Sequence, residues 1–227
     1  MRIFAVAAAC LILAACTTTN TKTAFETPQK PDAGARVLLL QPDVQLALLT
    51  AGGVTEPRAD WSEAGRDNLS RDIEAALKGR AHQYATLDPA VAMNGRVGQM
   101  LRLHSAVGQS IQAFSYGPYK LPTKQGFEWT LGPGALEVAN AHNADYALFV
   151  TSRGTYASGG RIATAVGLSL LGVAMPLGQQ QVYASLVDLK TGQVIWFNVA
   201  VAGPNADMRE ADGSAALVAS LLEELPL

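Results

Sequence analysis

The stretch that most constrains this chain is a run of 17 uncharged residues at 162–178 (IATAVGLSLLGVAMPLG), set between strand-like segments. Upstream, 145–155 (DYALFVTSRGT) reads as a strand. Downstream, 182–189 and 193–201 read as a pair joined by Lys190, Thr191 and Gly192, with glycine where a tight hairpin needs positive φ. Val194 and Trp196 are apolar on one face and Ile195 and Phe197 on the other, so these strands are expected to be central or covered on both sides.

As a helix the run is about 26 Å long, short of the roughly 30 Å hydrocarbon core of a bilayer. Ile162, Val166, Leu170, Val173 and Leu177 then form a stripe of large side chains, with Leu171 adding to the apolar surface. Ala163, Gly167 and Ala174 make a small-residue face suited to close helix contact. As a hairpin turning near Gly172, each leg has about eight residues, but the strict alternation of a pore-lining strand is missing. Three destinations stay open for this 160–178 insert: burial on the domain's own sheet, contact with a membrane or a second copy, or the wall of a ligand pocket.

The amino terminus carries a targeting pattern. Arg2 precedes a short apolar run that ends in Leu13-Ala14-Ala15-Cys16. This resembles the lipobox of bacterial lipoproteins, which implies cleavage after residue 15, acylation of Cys16 and a membrane anchor. Thr17, rather than aspartate, follows the cysteine and resembles the pattern sent on to the outer membrane. Acyl chains contribute about 0.8 kcal/mol per buried CH₂, so several on one cysteine hold firmly. With Cys10 in the signal and Cys16 lipidated, no thiol is left for a disulfide, a zinc site or a nucleophile. Residues 16–35, rich in Thr, Pro and Lys, are expected to be a flexible tether.

The remainder, 36–227, is expected to be a single α/β periplasmic domain. Arg36 to Leu40 reads as a buried first strand, bent or ended by Pro42. Asp60 and Glu63 stand in capping-box spacing before a helix striped by Trp61, Leu69, Ile73 and Leu77 and stopped by Gly79. After a weak strand at 83–87, Met93, Val97, Met100, His104, Val107, Ile111 and Phe114 mark one helical seam. Pro133 opens a short helix closed by Asn143, and a last helix is expected from about Asp207. The order is β-α-β-α-α-β-(apolar insert)-β-β-α, a mixed β-sheet flanked by helices.

The block ADYALFV, the insert, VYASLVDLKTGQVIWFN and a terminal helix together resemble a family of bacterial outer-membrane lipoproteins of unassigned function. More distantly they are similar to the curli-secretion-channel and TolB amino-terminal type of α/β domain. Asp188, Thr191, Gly192 and Trp196 are the matching positions. The resemblance implies hairpin and core roles for them, and envelope assembly work rather than a reaction.

Chemistry-bearing candidates are few. His104 lies on the apolar seam, where a lone histidine is more often core than base; His82 and His142 sit at helix ends, where imidazolium suits the dipole. Gly108-Gln109-Ser110-Ile111-Gln112 misses the G-x-S-x-G elbow by one glycine and falls within a helix, so a serine hydrolase using Ser110 and His104 is a remote alternative. No histidine pair stands at metal-ligand spacing, and no metal or cofactor is expected. The 17 basic and 19 acidic residues form no basic cluster that would track phosphates, so nucleic acid is not an expected partner. The expectation is a lipid-anchored, non-catalytic periplasmic scaffold in cell-envelope assembly, binding envelope partners or itself. The alternative is a subunit of an outer-membrane secretion assembly that uses the insert.

Overall fold

The computed structural model describes residues 17–25, 30–88, 95–203 and 205–227. Cys16, the proposed signal and Met93 lie outside the described residues. The strands are β1 (Thr18–Thr23), β2 (Arg36–Leu40), β3 (Asp43–Leu49), β4 (Thr55–Pro57), β5 (Gln83–Leu87), β6 (Tyr146–Ala157), β7 (Gln180–Asp188) and β8 (Val194–Val201). The helices are α1 (Ala59–Leu77), α2 (Arg96–Ile111), α3 (Ala135–His142), α4 (Gly159–Ser169) and α5 (Ala211–Leu221), with one π-helical turn after α2 (Gln112–Tyr116). The main sheet order is β1-β8-β7-β6-β2-β5, with β3 continuing beside β6 and carrying β4. Parallel pairs β2/β5, β2/β6 and β3/β6 meet antiparallel β6/β7/β8/β1, so the α/β class with a mixed, helix-flanked sheet holds.

Both faces of the sheet are covered. On one, Leu69, Ile73 and Leu77 of α1 and Leu217, Val218 and Leu221 of α5 pack on Val37, Leu148, Leu186 and Trp196. On the other, Met100 and Ile111 of α2 and Ala135 and Val138 of α3 pack on Leu38, Phe149, Tyr183 and Phe197. Burial on both faces is why the strand runs are continuously apolar rather than alternating.

β2 and β3 are one strand interrupted at Pro42. Leu39 lies opposite Leu148 and Asp43 opposite Thr151, so the β2–β3 side carries one residue more than β6 over the same span. Such a bulge flips side-chain parity. Val37 and Leu39 face the α1 layer before it, and Val44 and Leu46 face it after.

Three expectations are corrected. Residues 18–23 are not tether but the edge strand β1, paired with β8 from Thr18↔Val201 to Thr23↔Trp196. Threonines suit an exposed pleat, and the Tyr116 hydroxyl, reaching the carbonyls of Asn20 and Phe197, ties β1 to β8. Helix α1 has no side-chain cap at its start; Asp60 instead accepts from the Arg58 guanidinium. The last helix begins at Ala211, because Asp207 and Arg209 are held in a turn by each other and by Tyr156.

Candidate functional site

The insert is an arm, and it is not folded onto the sheet. Ser158 caps α4, its Oγ accepting from the Arg161 backbone N–H at 3.2 Å. The chain turns at Gly172 (φ 77°), with Val173 N–H donating to the Leu168 carbonyl. The return leg, 173–179, runs back beside β6, where the backbone N–H groups of Ala157 and Thr155 donate to the carbonyls of Leu177 and Gln179. Gly178 is obligatory there: its φ is 103°, and a Cβ would stand 2.2 Å from the Thr155 carbonyl oxygen. Neither expected form holds over the whole run: the helix ends at Ser169, so Val173 and Leu177 fall outside it, and the chain that turns at Gly172 has a helical rather than a strand-like outward leg. Burial against the domain's own sheet is overturned, because Leu170 and Leu171 at the tip are 84% and 77% exposed. Ile162, Val166, Val173 and Leu177 are also exposed, so among the described residues six of the ten exposed large hydrophobic side chains belong to this arm. Gly167 lies on an open face, with nothing near the position of a Cβ.

Arg161 pins the arm. It is the buried residue of α4, with Nε donating to the Pro176 carbonyl at 2.8 Å and Nη1 to that of Thr50 at 3.3 Å. One guanidinium therefore joins the outward leg, the return leg and the β3–β4 turn.

Beside the arm's base, a cleft of about 660 Å³ is lined by Trp61, Tyr156, Ile162, Leu177, Gln180 and Arg209, among others. The Arg209 guanidinium stacks 3.5 Å from the Tyr156 ring and holds Asp207 at 2.7 Å. Burial opposes ionisation of Asp207, but the Arg209 fork prevails and holds the carboxyl below its usual range. Burial, reinforced by Asp207, pushes the Tyr156 hydroxyl up, so it stays protonated.

Sheet register fixes where the chain's beginning lies relative to the arm. Thr18 pairs with Val201, Val201 with Gln181, and the neighbouring Gln180 with Gly154. β6 leads into the arm three residues beyond Gly154, and β7 starts where the arm ends. Thr17, Thr18 and both roots of the arm therefore emerge at one end of the sheet.

The remaining candidates resolve into structural roles. Asp188, Thr191 and Gly192 build the β7–β8 turn: the Asp188 carboxylate accepts from Lys190 N–H and Thr191 Oγ, and Gly192 has φ 75°. Trp196 is fully buried in the α1/α5 layer. His104 and Ser110 are not brought together as a pair. Ser110 Oγ donates to the Ala106 carbonyl at 2.9 Å. His104 is buried, stacked on Phe149 with ring centroids 3.9 Å apart, and its Nε2 lies 2.6 Å from Ser185 Oγ. Burial pushes the imidazole down to about 3, so it is neutral in neutral solution. No carboxylate touches it among the described residues. Ser185 was not singled out from sequence, although a serine within the apolar strand QQVYASLVD was the available signal. Among the described residues no three His, Cys, Asp or Glu converge as a metal site, and no helix is long and apolar enough to cross a membrane.

No protein-family model matches the chain, and no curated protein matches it. Among solved structures, the PelC dodecamer from Paraburkholderia phytofirmans is similar at 15% identity, covering 93% of this chain and 98% of that one with a TM-score of 0.41. A lipoprotein from Neisseria meningitidis is similar at 11% identity over 84% of this chain and 97% of that one, with a TM-score of 0.35.

Proposed function

We propose that this chain is a lipid-anchored, non-catalytic domain of the bacterial outer membrane that faces the periplasm and works through contact surfaces in envelope assembly. Its working surface is the arm at 158–179, which lies against the bilayer that holds the lipid. The observation carrying this reading is the register that sets Thr18 and both roots of the arm at one end of the sheet. An acyl chain on Cys16, two residues before Thr18, would then be planted beside an exposed apolar arm. Several acyl chains on one cysteine already meet the two-signal requirement for stable attachment, and the arm adds apolar contact beside them. Helix α4 is about 16 Å long, so it rests in the interface rather than spanning. The polar side chains weighed for catalysis are engaged in holding the fold, His104 on Ser185 and Ser110 on its own helix.

A second reading, docking of the arm on a second copy within a secretion assembly, is favoured by one feature: the open face at Gly167, where a partner helix can approach closely. Flotation of the unlipidated Cys16→Ala chain with anionic vesicles separates the two. Bilayer contact requires the chain to float with its vesicles and the 162–178 deletion to sink. A chain that never floats, but loses a higher-mass species on deletion of the arm, favours self-association instead.

A further inference from the structure

A second cleft, of about 630 Å³, opens over the interruption between β2 and β3. Its position follows from topology. From β2 the chain crosses through α1, on one face, to β5; it then crosses through α2 and α3, on the other face, to β6. β5 and β6 flank β2 on opposite sides. The connections thus reverse direction at β2, and in open α/β sheets a crevice outside the strand ends at such a reversal is where ligands bind. Here the bulge at Pro42 interrupts the strand where the crevice lies.

The lining is mixed: an apolar surface and three arginines, with the carboxylates of Asp43 and Asp88 also present. Leu40, Pro42, Leu101, Phe149 and Val150 form an apolar surface, and the buried His104 ring lies flat on Phe149 beside it. Arg66 of α1, Arg102 of α2 and Arg153 of β6 supply positive charge from three elements. Arg153 is engaged, its Nη2 2.6 Å from Asp43 Oδ2 and its Nη1 donating to the Asp43 and Ser152 carbonyls. The guanidinium groups of Arg66 and Arg102 have no hydrogen-bond or ion-pair partner among the described residues. Two planar donor forks without acceptors, beside an apolar wall, match a carboxylate or phosphate carried on a flat apolar body. We infer that this cleft binds such a small oxyanion, held by Arg66 and Arg102 with its apolar part against Phe149 and Leu101. The site is separate from the arm, and its test leaves the arm's role untouched.

Calorimetric titration of the full lipidated chain in a non-ionic detergent, with phenyl phosphate as the probe, tests the assignment. Saturable one-to-one binding that weakens with added salt is expected, and Arg66→Gln and Arg102→Gln should each weaken it about tenfold, the loss of one charge-assisted contact. Arg71→Gln, on α1 but outside the cleft, should bind like the parent. Inorganic phosphate should bind more weakly than phenyl phosphate, and benzylamine should not bind. Absence of saturable binding, an equal loss in Arg71→Gln, or inorganic phosphate binding as tightly as phenyl phosphate would overturn it. Unchanged far-ultraviolet circular dichroism in the variants keeps any loss attributable to the site.

Discussion

Arg161 donates to the carbonyl of Pro176, fifteen residues further along the chain, and so fastens the two legs of the apolar arm to each other. The same guanidinium reaches Thr50 in the β3–β4 turn, making it a hinge pin between arm and body. An arm that stands in solvent with six large apolar side chains exposed costs solubility, and monomeric proteins rarely keep such patches without a use.

Replacing Arg161 by Met keeps the stem but leaves the Pro176 and Thr50 carbonyls without their donor. Local ordering of the arm should weaken by about 1–3 kcal/mol, the scale of hydrogen bonds to a charged group. Limited proteolysis between 162 and 178 should quicken several-fold, while the midpoint of global unfolding moves little. Cleavage at the parental rate would show that the arm is held by something else.

Gly108→Ala tests the closeness of α2 to the sheet. A Cβ there would lie 2.9 Å from the Tyr183 hydroxyl. Helix propensity alone favours Ala by about 1 kcal/mol, but overpacking in a tight core costs about 1–3 kcal/mol. The net expectation is destabilisation, partly relieved by Tyr183→Phe, which removes the nearest atom. Gly167→Ala in α4 meets nothing and should only raise helicity. Thermal denaturation of Gly108→Ala, of Gly108→Ala combined with Tyr183→Phe, and of Gly167→Ala checks the order.

Acid sensitivity should trace to His104. Burial holds its folded value at about 3, whereas the unfolded imidazole takes a proton below about 6.5. The stability is therefore complete above about 6.5 and is lost, at about 1.4 kcal/mol per pH unit, as pH falls towards 3. Asp145 and Asp207, whose values are lowered, withdraw their contributions only below about 3.9, so the window between 6.5 and 4.5 isolates the histidine. Urea denaturation of His104→Gln should show that slope flattened; a slope parallel to the parent's would contradict the assignment.

How far the sequence was legible depended on whether side chains or backbone carried the signal. β2, β6, β7 and β8 are mostly apolar runs buried on both faces, and apolar composition revealed them. β1 (TTNTKT) was missed because its contribution is the pairing of its backbone with β8, while its side chains stay largely exposed. β4 is three exposed residues and carries no pattern at all. The arm was visible as a run, but hydrophobicity ordinarily means burial, and only the fold shows these side chains outside. Arg161 stood at the edge of that run as its boundary; its carbonyl partners are set by the return leg's path. The pairing of His104 with Ser185 spans 81 residues, and the cleft at Pro42 gathers Arg66, Arg102 and Arg153 from three elements, so no local spacing announces either.

Deleting 17–23 should expose the β8 edge that β1 covers. An unpaired central strand is a template for association, so the truncated chain should aggregate on concentration, where a removed tether would leave behaviour unchanged. Size-exclusion chromatography distinguishes the two.

The depth of the arm's tip in a bilayer is the most direct measurement. Leu171→Trp in the full lipidated chain, reconstituted into vesicles with lipids brominated along the acyl chain, adds one reporter at the tip of the arm. Quenching of the added emission with a blue shift, absent from Tyr119→Trp on an exposed loop outside the arm, is the predicted result. Emission from Leu171→Trp as red and as unquenched as that from Tyr119→Trp would contradict a bilayer-facing arm.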